Sequence, residues 1–574
     1  RFGDAEQLHR VAAPLAAREQ LTFYGEPVTV ARAPQSAVAP GFTFLKDTGG
    51  NENAQVYWYD SATRAVRMLS SGKGVNGGLA WSHDGRRVAF HSTARDGVSY
   101  DLYIADIPGS ASPRLIYTGF QKNWSVASWS PDDTKLLIHN FVSANESHLF
   151  VLDVATAALT PVAEGAGPAS VGGAQFTPDG RAIHVITNRD SEFEQLQRID
   201  LATGAVEVLT AHIPWDIDTF DRSDDGRYLA YVANVDGTSR LTLVNVAARS
   251  EMQPPLPEGR IGRIAFDREG RKLAFALESP QAPRDVFVLE LERNAVVRYT
   301  KSESGPVDPT QFVPAELVRF PTFDRERGKP RQVPALVFRP ATPGPHPVLI
   351  DIHGGPESQT VPTFSPFTQF LVREMGFVVI QPNVRGSSGY GKTYLNLDNG
   401  EDREDSVKDI GALIVWIGAQ RNLDAKRVFV SGGSYGGYMS LASMVHFGDR
   451  LRGGVDVVGI SNFVTFLEST SAYRRDLRRP EYGDERLPRM RAYLQRISPL
   501  TNAARINKPL LVVQGLNDPR VPATESQQMV SKIRARGGEV WYLAAKDEGH
   551  GFRKKQNRDF YLKTMVTFLE KQSK

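Results

Sequence analysis

Five short signatures set the framework for the first half of the chain. Trp81-Ser82-His83-Asp84-Gly85, Trp129-Ser130-Pro131-Asp132-Asp133 and Phe176-Thr177-Pro178-Asp179-Gly180 each join an aromatic residue, a hydroxyl and a turn. Looser versions stand at Ser223-Asp224-Asp225-Gly226 and Phe266-Asp267-Arg268-Glu269-Gly270. Their last residues fall at 85, 133, 180, 226 and 270, in steps of 48, 47, 46 and 44 residues. An alternating run such as "RRVAFHS" or "RKLAFAL" follows each, then a second such as "DLYIADI", "HLFVLDV" or "DVFVLEL". Asp-Gly between alternating apolar runs is a strong hairpin signal. A four-strand unit repeating near 45 residues is the mark of a β-propeller blade. Two more units, from Gln7 and Gln55, keep the second half of the pattern. Seven blades are therefore expected, the first cut short and completed by an upstream segment. So regular a period argues against a long β-sandwich or a pair of barrels.

Residues 306–574 follow another grammar, and 574 residues are too many for one core. The apolar runs "HPVLIDIHGG", "GFVVIQPNV", "RVFVSGG", "GGVDVVG", "KPLLVVQG" and "EVWYLAA" alternate with amphipathic helices. Near-continuous apolar strands with helical crossovers predict a parallel sheet covered on both faces. Such sheets carry their sites at the carboxyl ends of the strands. The expected division is a propeller over 1–305 and a parallel α/β domain over 306–574. A net charge of +3 gives no argument for nucleic acid or a membrane surface as partner. The chain has no cysteine, which removes disulfides, thiol catalysis and thiolate metal sites together.

Chemistry concentrates at "VSGGSYGGYMS", residues 430–440, where a buried-type strand meets a glycine-rich helix start. Gly432-x-Ser434-x-Gly436 in that setting is a nucleophile elbow, the hallmark of an α/β-hydrolase. A serine hydroxyl needs a base, and the base needs an orienting acid. In this fold they follow in the order serine, acid, histidine. His550 in "DEGHGF" and Asp518 in "VVQGLNDPRVP" satisfy that order, both predicted to lie just past strands. His446, on the helix after the elbow, is read as a packing or surface residue. For a tetrahedral oxyanion, the backbone N–H of Tyr435 is one predicted donor and that of Gly355, in "DIHGGP", the second. His353 and Gly354 then shape the turn, and no residue near His353 has metal-ligand spacing. Neither metal nor cofactor is expected.

"HGGP", "NVRGSSGYG", "GGSYGGYM", "NDPRVP" and "EGHGF", in this order behind a propeller, resemble the prolyl oligopeptidase family of serine peptidases. The resemblance implies Ser434, Asp518 and His550 as a catalytic triad. It also implies that Arg520 holds a carbonyl of the bound peptide. Phe463 and Phe466 would line the pocket for the residue before the cut, with a core position the equal alternative for Phe463. The implied activity is hydrolysis of short peptides, of acylaminoacyl or oligopeptidase type, with the propeller limiting substrate size. A dipeptidyl aminopeptidase is one alternative, for which Glu192 and Glu194 would supply carboxylates; an esterase with the same triad is another. The implied partners are short peptides, with no nucleic acid, no membrane and the oligomeric state open. The stretch Tyr473 to Arg491 reads as a solvated excursion of mixed charge.

Overall fold

The computed structural model describes residues 3–34, 36, 38–107, 112–119, 123–162, 165 and 167–574. The chain forms two compact units, one of 1–48, 52–277 and 284–302, the other of 49–51, 278–283 and 303–574.

In the first unit, four-stranded sheets span 28–68, 76–117, 123–162, 171–208, 217–252 and 260–298. A seventh unit is a two-stranded sheet of His9–Val11 and Arg18–Gln20. The β-propeller thus shows six complete blades and a hairpin among the described residues. The signatures have a common mechanics. The closing residue of each turn is left-handed, with φ of 71° at Gly85, 56° at Asp133, 67° at Gly180, 71° at Gly226 and 60° at Gly270. Glycine adopts that conformation freely, and aspartate tolerates it better than most residues. The signature hydroxyl donates to the acid two residues on, at 2.6–2.7 Å in Ser82–Asp84, Ser130–Asp132, Thr177–Asp179 and Ser223–Asp225. It accepts in turn from the N–H five residues on, so each tip is locked. The aromatic residue stitches neighbouring blades. Trp81 donates its indole N–H to the Arg32 carbonyl at 3.0 Å, and Trp129 donates to Ala80 at 3.0 Å. Cores lie between blades: Leu137 and Leu149 of one pack with Phe176 and Val185 of the next.

The second unit holds one eight-stranded sheet. Its strands are β1 (Glu316–Glu326), β2 (Lys329–Phe338), β3 (His346–Ile352), β4 (Val378–Pro382), β5 (Leu423–Gly433), β6 (Gly453–Val457), β7 (Leu510–Gly515) and β8 (Val540–Ala545). The spatial order is β1-β2-β4-β3-β5-β6-β7-β8. The last six are parallel and match the six apolar runs. The antiparallel pair β1 and β2 extends the sheet beyond them. Alternate residues feed two cores: Val348 and Ile350 join one with the helices α2 (Arg403–Gly418) and α3 (Tyr435–Phe447). Leu349 joins the other, with α1 (Pro366–Arg373) and the terminal helix Lys555–Ser573. This is the α/β-hydrolase arrangement.

The charged stretch from Tyr473 departs from expectation. It contains two helices, α5 (Ala472–Tyr482) and Pro488–Ile497, following the short α4 (Phe463–Ser469). Its charges are largely paired, as in Arg479 with Asp476 and Glu485. Glu481 and Tyr482 at the end of α5 are buried, 3% and 2% exposed. Pairing lets an outwardly polar sequence carry a packed face. The "RGSSGYG" loop is structural in the same sense. Its Arg385 is buried, with a bidentate pair of hydrogen bonds to Asp409 at 2.8 and 3.0 Å and another to Asp324 at 3.0 Å.

Candidate active site

Strand β5 ends at Gly433, and α3 begins at Tyr435. Ser434 between them has φ 60° and ψ −118°, a strained conformation for a residue with a side chain. Its N–H is anchored on the Val457 carbonyl at 2.9 Å. The flanking glycines are a steric demand. A Cβ on Gly432 would lie 2.2 Å from the Gly436 carbonyl oxygen, and one on Gly436 would lie 2.1 Å from that of Ile352. Strand and helix backbones cross too closely for any side chain, and the serine alone is lifted out.

Asp518 follows β7 and His550 follows β8. His550 Nδ1 and Asp518 Oδ2 are 2.7 Å apart. A carboxylate only accepts, so Nδ1 carries the proton and Nε2 presents its lone pair. The other oxygen, Oδ1, accepts from the N–H groups of Arg520 at 2.8 Å and Val521 at 3.0 Å, which locks the carboxylate's rotation. The histidine loop is seated by a motif residue that the sequence reading left without a role. Glu548, 1% exposed, accepts from the N–H groups of Arg553 at 3.0 Å and Lys554 at 2.9 Å. Among the described residues no hydrogen bond joins Ser434 to His550. Such a contact commonly tightens only with substrate bound.

The "DIHGGP" loop approaches the elbow from β3. A Cβ on Gly354 would sit 3.2 Å from that of Ser434. Gly355 has φ 125°, open only to glycine. His353 is half-buried, its pKa lowered by desolvation, and its Nδ1 lies 2.7 Å from the Gly354 carbonyl oxygen. That carbonyl shares a peptide plane with the Gly355 N–H, so fastening one aims the other. Among the described residues no cluster of three His, Asp or Glu could hold a metal.

The remaining predicted positions are more varied. Arg520 is half-buried, its carbonyl accepting from Thr470 Oγ1 at 2.7 Å, so its backbone is tied on both sides. Phe463 is 0% exposed and Phe466 3%, both in the hydrophobic core around α3. His446 pairs with Glu404 at 2.9 Å, as a surface residue would. Glu194 accepts from Ser170 at 2.7 Å, while its N–H donates to Asp216 at 2.8 Å. Burial raises the pKa of Glu194 and pushes that of Asp216 up to about 7, helped by the neighbouring Glu194, Asp218 and Glu192. These acids form a partly buried cluster within the blades rather than an open carboxylate pair.

Sequence reasoning missed a buried ionic node behind Tyr435. Arg403, wholly buried, donates to Asp398 at 2.6 Å and to Glu481 at 2.5 Å. Burial, only partly opposed by the Arg403 cation, pushes Asp398 up to about 7 and Glu481 up to about 8. One guanidinium between two desolvated acids favours one proton held on the pair.

Residues 362–574 match the prolyl oligopeptidase family. Dipeptidyl aminopeptidase BIII of Pseudoxanthomonas mexicana is 36% identical over 228 residues, 39% of this chain and 33% of that protein. The acylamino-acid-releasing enzyme of Rattus norvegicus is 26% identical over 226 residues, 38% and 30% of the two chains. The matches span about a third of these relatives' length. A solved prolyl endopeptidase superposes with a TM-score of 0.87 over 99% of this chain and 87% of its own, at 15% identity. At that identity the likeness shows the shared fold, propeller and α/β-hydrolase domain alike.

Proposed function

We propose that this protein is a serine peptidase that cleaves short peptides through an acyl-enzyme on Ser434. The observation that carries the reading is the 2.7 Å Asp518–His550 hydrogen bond, set on the same sheet as the strained Ser434 elbow. His550 Nε2 takes the Ser434 proton as Oγ attacks the scissile carbonyl carbon. The oxyanion that forms accepts from the N–H groups of Tyr435 and Gly355. Collapse breaks the C–N bond, and His550 returns the proton to the leaving amine. A water then repeats the sequence on the ester, releasing the acid and free Ser434. Arg520 holds a substrate carbonyl. The propeller acts as a size filter.

Within this chemistry the acylaminoacyl or oligopeptidase type is the main reading. The burial of Glu194, one of whose oxygens accepts from Ser170, supports it, because a dipeptidyl aminopeptidase needs a carboxylate open to the substrate's amine. The similarity to dipeptidyl aminopeptidase BIII supports that second type instead. Mass mapping of a fluorophosphonate adduct tests the nucleophile: Ser434 should carry it, and labelling elsewhere would overturn the assignment. Products from a peptide library with free and acetylated N-termini separate the two types. Acetylated peptides cut to acetylated residues support the main reading, and dipeptides released only from free N-termini support the second.

A further inference from the structure

Helix α5 holds the chain at and just after the "DIHGGP" loop. Arg478 and Tyr482, four residues apart, share one helix face. Tyr482 Oη donates to the Gly355 carbonyl at 3.0 Å, and Arg478 Nη1 donates to Glu357 at 3.3 Å. The Tyr482 ring lies parallel to that of Tyr435, with centroids 6.0 Å apart and planes at 13°. The Arg403 guanidinium stands 5.3 Å from the Tyr435 ring centre and 5.2 Å from that of Tyr482. Its bonds to the Glu481 carboxylate and backbone carbonyl, at 2.5 and 2.6 Å, fix the end of α5 where Tyr482 sits.

The two predicted oxyanion donors come from separate elements, Tyr435 from the start of α3 and Gly355 from the loop after β3. Their spacing must hold to within a fraction of an ångström for the site to work. Gly355 has no side chain to restrain it, so its peptide planes are governed by what holds the carbonyls. His353 holds the carbonyl before Gly355, and Tyr482 holds the carbonyl after it. We propose that Tyr482 is a positioning residue which sets the Gly355 N–H against that of Tyr435, with Arg403 joining the two tyrosines into one rigid unit. This rests on the serine peptidase reading above and adds a residue that touches neither substrate nor reacting atoms.

Tyr482→Phe keeps the ring stack and removes the hydroxyl's hydrogen bonds, to the Gly355 carbonyl and with the Arg478 guanidinium. Its kcat on a short peptide should fall by about tenfold to a hundredfold with KM little changed. Affinity for a peptide aldehyde should fall by the same factor, since Ser434 adds to the aldehyde carbon to give the oxyanion that the two N–H groups stabilise. Tyr438→Phe is the matched control. Tyr438 is equally buried in the same aromatic group, and its hydroxyl has no hydrogen-bond partner among the described residues. That variant should retain wild-type kcat and aldehyde affinity. An unchanged kcat in Tyr482→Phe, or equal losses in both variants, would overturn the inference. Failure of fluorophosphonate to label Ser434 in the unaltered protein would instead sink the peptidase reading itself.

Discussion

Ser434 holds φ 60°, and that strain sets it apart from an ordinary helix cap. Ser434→Ala should lower kcat/KM by several powers of ten and leave the thermal midpoint nearly unchanged. Ser434→Gly should be equally inactive yet more stable, by about 1 kcal/mol, because glycine adopts positive φ without penalty. Chemical denaturation of the two variants side by side checks this, and a glycine variant no more stable than the alanine one would remove the strain argument. Arg520 carries a separate residue-scale test. Its backbone already orients Asp518, so the question is what the guanidinium does. As a peptide anchor, Arg520→Ala should cost roughly 2–4 kcal/mol in kcat/KM for peptides while sparing small p-nitrophenyl esters, which lack the carbonyl it would hold. Equal losses on both substrates would mean that the side chain supports Asp518.

Among the elements, β6 contributes a group whose ionisation couples to stability. Asp456 lies beneath α3, wholly buried, with neither carboxylate oxygen in good hydrogen-bond geometry. Desolvation raises its pKa from 3.8 to about 7, weakly opposed by the nearby Gly459 N–H. The folded state therefore binds this proton more tightly than the unfolded chain does. The resulting stability is full below the unfolded value and is lost as pH rises from about 4 to about 7. Asp456→Asn should flatten that part of the profile, and thermal midpoints of the two proteins across this window measure it. Identical slopes would mean that Asp456 is ionised in the fold. The same sheet illustrates what was readable at this scale. Apolar runs announced six parallel strands because both faces are covered, whereas β1 and β2 belong to an antiparallel edge and lack that continuous signal.

For the whole molecule, the expectation that belongs to this scale is size selection. If the propeller filters substrate, tryptic peptides of albumin should be consumed while the intact protein is left largely uncut. Comparable initial rates on both, followed by mass spectrometry, would count against a filter. Blade structure also bears on stability. The signatures tie their own hairpins, and two of them, through Trp81 and Trp129, also tie the blade before. Bonds of this kind contribute about 1 kcal/mol each, so the cohesion is spread over the ring rather than held at one seam.

What the sequence determined by itself follows local rules. Asp-Gly turns at a steady period specify blades, and strand-turn-helix around Gly432 and Gly436 specifies the elbow. The order of Ser434, Asp518 and His550 could be read because each follows its own strand in one sheet. What only the tertiary structure decided depends on partners far apart in the chain. Tyr482 reaches Gly355 across 127 residues, and Arg403 reaches Glu481 across 78. No periodicity records such pairings, so a charged stretch that reads as solvated becomes a clamp on a glycine loop. Phe463 and Phe466 show the same limit: an aromatic residue near a site has one composition whether it lines a pocket or fills a core, and only the packing around α3 distinguishes them. Glu194 completes the pattern, for its hydrogen bond accepted from Ser170 joins two segments of one blade that lie 24 residues apart in the chain.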